Sequence, residues 1–336
     1  MPEPTKRATL RDVAAGAGVS VAQASFALNG TGRVAPATAE RVRRVAAELD
    51  YQPDGRARAL RTGRRSAYGV VIRNMRNPFF LDVLRGMETV AHRKGALLLI
   101  MSSDYDQERE GAALRRLAAE AVAGIAIAPI GRRGRLLEWM DRHTHIPVVA
   151  FNCTPEPDRE GAASRLSTVG PDDDAAVSLA VAHLAERGHR EAALLTAPES
   201  LAADWGREES FLRRCAEHGM AGDVVRGPLD HEAVARRSSE MMARPGHRAL
   251  VVNSDHLSAA VYDAARSRGL RVGRDVSVVG HDDLPTSALL DPGLTTIAVE
   301  REALGEQIMD LLVEGPGTAV RLPVRLVERG SVALLA

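Results

Sequence analysis

The stretch TLRDVAAGAGVSVAQASFALNG, residues 9–30, decides how the amino-terminal part of the chain folds. Thr9 stands before an alanine-rich run with Asp12 three positions on, the pattern of a capped helix start. Leu10, Val13, Ala14 and Ala17 recur at helical spacing, and Gly16 and Gly18 are expected to stop that helix. Ser20 then opens a second short helix, which Asn29-Gly30 closes. Pro36 predicts the first turn of a third, with Ala39, Val42, Val45, Ala46 and Leu49 on one face. Three short helices could be a plain structural bundle. A second helix begun by a capping serine one tight turn after the first is, however, the helix-turn-helix arrangement, whose second helix enters the DNA major groove by its amino-terminal residues.

Charge supports this. The chain of 336 residues has zero formal net charge, yet residues 1–66 hold twelve Lys and Arg against six Asp and Glu, so a head of +6 sits on a body of −6. Cations in such a cluster displace condensed counterions from phosphates. A solvated charged surface would look similar by charge alone. Hydrophobic residues at 45% and charged residues at 26% are ordinary for a globular protein, and the length suits a small module plus a large two-part body.

After the Arg-rich linker RTGRRS the pattern becomes alternating strands and helices. YGVVI, ALLLIM, GIAIAP, IPVVAF, EAALLT, RALVVN and VSVVG are buried parallel-strand runs, separated by helical segments such as LDVLRGMETVAHRK and ALRRLAAE. Repeated βαβ units predict doubly wound parallel sheets with ligands beyond the carboxyl ends of the strands. The strands are too many for one small sheet, so two Rossmann-like lobes facing a cleft are expected. No dinucleotide or phosphate-loop glycine motif follows any strand, and Cys153 and Cys215 lack metal or redox spacing, so no cofactor, no metal and no catalytic residue is expected.

The run at 9–30, followed by ATAERVRRVAAELDYQPDGRARALRTG, resembles the LacI family of bacterial repressors. Its V-S-x-x-T-V-S-x-x-L-N motif is matched at Val19, Ser20, Ser25, Leu28 and Asn29, with Gln23 in place of threonine and Ala24 in place of valine. The resemblance implies DNA contacts from Thr9, Ser20, Val21, Ala22, Gln23, Ser25, Phe26 and Asn29. Val21 and Ala22 occupy the base-reading places; both can meet a thymine methyl and neither can donate a bidentate hydrogen bond. Phe26 stands where some members carry a long polar base-reader, and its ring would pack on base edges or on the headpiece core. The Y-x-P-x-x-x-A-R-x-L hinge motif is matched by Ala57, Arg58 and Leu60, and the resemblance makes Leu60 a minor-groove wedge. Asp54 departs from the usual asparagine or serine.

The resemblance continues through N-P-F-F at Asn77–Phe80, L-A-E-R-G-H-R at Leu184–Arg190, V-V-G-H-D-D at Val278–Asp283 and L-T-T at Leu294–Thr296. It implies a periplasmic-binding-protein-like type I body crossed three times by the chain. The headpiece is placed at 1–52, the hinge and linker at 53–66, and the effector-binding and dimerisation domain at 67–336. Within it the N-terminal lobe takes 67–168 plus 297–319, and the C-terminal lobe 169–296 plus 320–336. Carried over residue by residue, the effector site is Phe79, Phe80, Asn152, Trp205, Arg207, Ser254 and Asp282. Ser254 stands for the family's asparagine, Asp255 is expected as a helix-start carboxylate, and Leu229 takes the place of a ring-stacking tryptophan.

These features predict a homodimeric, sequence-specific DNA-binding regulator, a repressor answering to a small molecule. Its implied partners are double-stranded operator DNA and an effector that is a carbohydrate or derivative, with a purine co-repressor as the alternative. A transporter's solute-binding protein would share the body but needs export, and the first residues show no apolar signal segment. No run is long enough for a membrane span, and a cytoplasmic location is expected. His281-Asp282 could suggest acid-base chemistry, but no serine elbow or paired carboxylates accompany it. The end RGSVALLA carries no heptad repeat for a tetramer.

Overall fold

The computed structural model describes residues 8–30, 32–51, 67–153, 161–201, 205–244 and 249–335. It divides into two compact units, residues 1–66 and 67–336.

In the first unit, α1 (Leu10–Ala17), α2 (Val21–Asn29) and α3 (Pro36–Glu48) surround a core of small residues: Val13, Ala14, Ala17, Ala24, Ala27, Val42, Val45 and Ala46. Thr9 with Asp12 and Ser20 with Gln23 both form complete capping boxes, which satisfy amide groups that a short helix otherwise leaves bare. Gly18 ends α1 in the left-handed region, at φ 64°. Gly16 does not stop the helix as expected. It stays within α1, where α3 passes so close that a Cβ there would lie 2.9 Å from Val45 Cγ1. Leu49, expected on the buried face, caps α3 and is exposed, since the helix ends before it can turn inward.

The second unit holds two six-stranded sheets. Its strands are β1 (Ala67–Ile72), β2 (Leu97–Ser102), β3 (Ile125–Ile127), β4 (Val148–Phe151), β5 (Ser167–Pro171), β6 (Glu191–Thr196), β7 (Ala221–Arg226), β8 (Ala249–Val252), β9 (Ser277–Asp282), β10 (Thr295–Val299), β11 (Ala319–Leu322) and β12 (Val324–Val327). Its α-helices are α4 (Phe79–Arg93), α5 (Gln107–Ala119), α6 (Gly134–Arg142), α7 (Ala162–Arg165), α8 (Asp173–Glu186), α9 (Trp205–Glu217), α10 (His231–Met242), α11 (Asp255–Ser267) and α12 (Arg301–Glu314). The sheets run β11-β5-β4-β3-β1-β2 and β12-β10-β9-β8-β6-β7, with the order reversing between β3 and β1 and between β8 and β6, where an open parallel sheet leaves a crevice for ligand. All pairings are parallel except β10 with β12.

Pairing fixes the lobes. Thr168 to Pro171 register with Ala319 to Leu322 in the first sheet, while Thr295 to Ala298 register with Val279 to Asp282 in the second. The expected boundaries after residues 168, 296 and 319 therefore cut through β5, β10 and β11. The crossings instead lie between β5 and α8, β10 and α12, and β11 and β12, because a strand stays with its sheet until its ladder ends. In the N-terminal lobe α4 and α12 cross almost backbone to backbone. A Cβ at Gly86 would sit 2.0 Å from the Glu302 carbonyl oxygen, and one at Gly305 2.0 Å from that of Val83.

Candidate functional site

In the headpiece, α2 turns Ala24, Ser25 and Ala27 inward and leaves Val21, Ala22, Gln23 and Phe26 exposed on the other side. Val21 and Phe26 remain exposed although apolar. The Gln23 side chain accepts hydrogen bonds from the Ser20 amide and hydroxyl, both at 3.2 Å, so it serves as the inner half of the capping box. Asn29 Nδ2 donates to the Ser25 carbonyl at 2.6 Å and tightens the last turn of α2. The Phe26 ring lies over Gly32, where a Cβ would stand 3.0 Å from its Cγ. Ala57, Arg58 and Leu60 lie outside the described residues.

In the body, a narrow polar cleft opens between the lobes. The N-terminal lobe contributes Arg73, Asn74, Asn77, Phe79, Phe80, Tyr105 and Asn152; the C-terminal lobe contributes Arg207, Leu229, Asn253, Ser254, His256, Leu257, His281 and Asp282. Most of them sit at or just past strand carboxyl ends, where the chain leaves the ladder and side chains can converge. Three non-glycine residues there, Tyr105 (φ 58°), Asn152 (φ 51°) and Asp282 (φ 119°), take backbone conformations that L-residues avoid, strain of a kind found where a site is held by its surroundings. The Asp282 carbonyl accepts a hydrogen bond from Arg301 Nη1, and Arg301 Nε donates to Asp82 at 2.7 Å, tying this strained turn to α4 of the other lobe. Asn77 Nδ2 reaches Ser254 Oγ across the cleft at 3.4 Å.

The expected effector residues divide. Arg207, Asn152, Ser254 and Asp282 meet at this cavity, and Leu229 stands beside them. Phe79 and Phe80 border it but are almost fully buried, packed edge to face on each other at 5.3 Å and, through Phe80, on Phe151 at 6.3 Å. They therefore form its floor, not a free stacking face. Trp205, the first residue of α9, is not among the lining residues, because the helix directs the neighbouring Arg207 inward instead. Nor is the Arg207 fork open to ligand hydroxyls as expected. Its Nε and Nη2 donate to Asp173 Oδ1 at 3.1 and 2.6 Å, and its Nη1 to Asn253 Oδ1 at 2.5 Å, so this buried guanidinium is neutralised within the protein. Asp282 accepts from Ser254 Oγ at 2.7 Å and lies 3.1 Å from His281 Nδ1.

Asp255 is the staple behind the site. Its carboxylate accepts from the Leu284 amide at 3.1 Å, Ser287 Oγ at 2.5 Å and Thr296 Oγ1 at 2.7 Å, and it fits only because residue 280 has no Cβ. Burial, aided by the nearby Asp282 charge, pushes Asp255 up to about 6. Sequence reasoning missed Arg73, Asn74, Tyr105, Asn253 and His256. Arg73-Asn74 follow YGVVI and Asn253 follows ALVV, so the rule that strand ends face ligand was signal enough for three of them. Among the described residues no cluster of His, Cys, Asp and Glu could hold a metal, and no helix is long and apolar enough to cross a membrane.

Comparison with known proteins agrees with both units. Residues 9–54 match the model of bacterial regulatory proteins of the lacI family, and residues 181–332 match a periplasmic binding protein-like domain. The HTH-type transcriptional repressor PurR of Vibrio atlanticus is 29% identical over 313 residues, covering 91% of each chain. The Lac repressor dimer bound to operator and an anti-inducer is 25% identical, with a TM-score of 0.85 over 98% of this chain and 100% of that one. The transcriptional regulator CelR in complex with cellobiose is also 25% identical, with a TM-score of 0.70 over 97% of this chain and 100% of that one.

Proposed function

Since the chain belongs to the lacI family of DNA-binding transcriptional repressors, we propose that it acts as a homodimer whose grip on a two-fold operator is set by a small polyhydroxylated effector held between the lobes. The carrying observation is the cavity itself, to which both lobes bring hydrogen-bonding groups at strand ends. A ligand that touches both lobes favours their closed arrangement, and this difference in affinity is what moves a DNA-binding equilibrium.

The chemistry of the walls favours a carbohydrate or derivative over a purine. Phe79 and Phe80 are spent on the core and the half-buried Tyr105 is the aromatic ring left in the lining, whereas Asn74, Asn77, Asn152 and Asp282 offer donors and acceptors for hydroxyls. The relative crystallised with cellobiose fits this reading; the PurR relatives keep a purine as the competing candidate. Dimerisation is supported by apolar side chains left on the N-terminal lobe, Leu81 on α4 and Leu97 and Ile100 on the edge strand β2. Such a regulator works in the cytoplasm.

Selection of bound sites from a random duplex pool tests this reading. The full-length protein should enrich a two-fold symmetric site. Leu60→Ala should weaken that site while leaving binding to random DNA almost unchanged, because a wedge acts only on the bent operator. Absence of an enriched site would defeat the repressor reading, and equal losses on both DNAs would mark Leu60 as a packing residue of the linker.

A further inference from the structure

The two arginines of the cavity differ in what neutralises them. Arg207 is bound to Asp173 and Asn253. Arg73, at the end of β1, is only 7% exposed, and no carboxylate among the described residues lies within ion-pair distance of it. Its Nε donates to the Pro129 carbonyl at 2.9 Å and its Nη2 to the Asn152 carbonyl, so it caps the ends of β3 and β4, and its Nη1 has no partner among the described residues. Glu110 feels this charge, but one of its oxygens accepts the Ile130 amide at 2.9 Å, and burial pushes it up to about 7, so it gives Arg73 no settled counterion. A desolvated guanidinium with carbonyl partners alone is costly to keep, and its spare donors have the fork geometry that matches a carboxylate or phosphate. Across the cavity, Asp282 presents an acceptor suited to hydroxyls.

We infer that the effector is an anionic carbohydrate, and that Arg73 takes its carboxylate or phosphate while the Asp282 side of the cleft takes its hydroxyls. This rests on the cleft being the effector site. The competing role for Arg73, a brace for two strand ends, needs one or two donors and no charge; glutamine could supply it.

The test titrates the full-length protein, at fixed ionic strength, with glucose against gluconate, glucuronate and glucose 6-phosphate, with the corresponding galactose series, and with inorganic phosphate. Calorimetry and unfolding temperature are the readouts. At least one acid, or phosphate itself, should bind, and the neutral sugar of that series should bind at least about tenfold more weakly. The carboxylate and phosphate arms separate the two sources of charge. Arg73→Gln should erase the preference; Arg73→Lys, which keeps the charge without the fork, should preserve it at lower affinity and serves if the first variant does not fold. A neutral sugar binding as tightly as its acids, acid binding untouched by Arg73→Gln, or silence from every acid and from phosphate would overturn the inference. Acid binding that leaves operator affinity unchanged would instead break the regulatory reading and leave this inference standing.

Discussion

The two lobes share one plan, six strands in matching order, yet they face the cavity differently. On the C-terminal side the polar groups are already bonded to one another: Arg207 to Asp173, Ser254 to Asp282, and Asp255 to Ser287 and Thr296. On the N-terminal side Arg73 spends its donors on backbone carbonyls and keeps some in reserve, above a floor of packed phenylalanines. One wall is preformed and the other awaits a partner. A preformed wall lowers the ordering cost of binding, and an unfinished wall gives the ligand a reason to draw the lobes together.

This contrast can be broken most severely at Asp173. Asp173→Ala leaves the Arg207 charge buried without its counterion, and the expected loss of unfolding free energy is about 3–5 kcal/mol, read from the denaturant midpoint. A loss below about 1 kcal/mol would show that the C-terminal wall is not held by this pair. Next comes the core of the other lobe. Gly305→Ala drives a methyl into the Val83 carbonyl across the α4–α12 crossing and should cost about 3 kcal/mol, while the same change at exposed Gly134, with open space around it, should cost almost nothing. Equal effects at the two glycines would mean that the crossing is loose.

Titration sharpens the comparison further. Burial raises Glu110 to about 7, so the folded N-terminal lobe holds a proton that the unfolded chain has released. Its favourable contribution is complete below the ordinary carboxylate range and is lost as pH rises through about 7. His183 and His189 in the C-terminal lobe are lowered by burial and act with the opposite sign: their contribution is complete above the ordinary histidine value and is lost as pH falls. Glu110→Gln can still accept the Ile130 amide, and it should raise stability at pH 8 by an amount on the order of 1–3 kcal/mol while changing little at pH 5. An equal gain at both pH values would remove titration as the cause. The smallest effect belongs to the headpiece, where Ser20→Ala removes one side of a capping box and should cost about 1 kcal/mol in its thermal unfolding; no change would show that Gln23 caps α2 unaided.

Much of this was legible in the chain. Thr9, Ser20 and Pro36 announced the three headpiece helices because caps are local chemistry, and runs such as YGVVI and EAALLT announced strands because both faces of those strands are covered. STVGP and AGDVVR went unread as β5 and β7, since one is short and polar and the other lies at a sheet edge with partly open faces. ALLLIM was read as buried, yet its strand β2 is also an edge and exposes Leu97 and Ile100. Lobe boundaries depend on pairings between residues far apart in sequence, as of Thr168 with Ala319, which no local pattern encodes. For the same reason Arg207 was legible as a cleft residue but its capture by Asp173 and Asn253 was not.

The central claim is that one ligand, touching both walls, resets the affinity for DNA. The most direct test measures the operator dissociation constant of the full-length protein, on the site enriched by selection, with and without the acid that binds best in the paired titrations. Wild type should change its affinity by about tenfold or more when ligand is added. Asp282→Ala should match wild type without ligand and give no response with it, because the variant's C-terminal wall no longer receives the ligand. A variant that responds at wild-type ligand concentrations, or a wild type whose operator affinity is the same with the cleft filled and empty, would contradict the account.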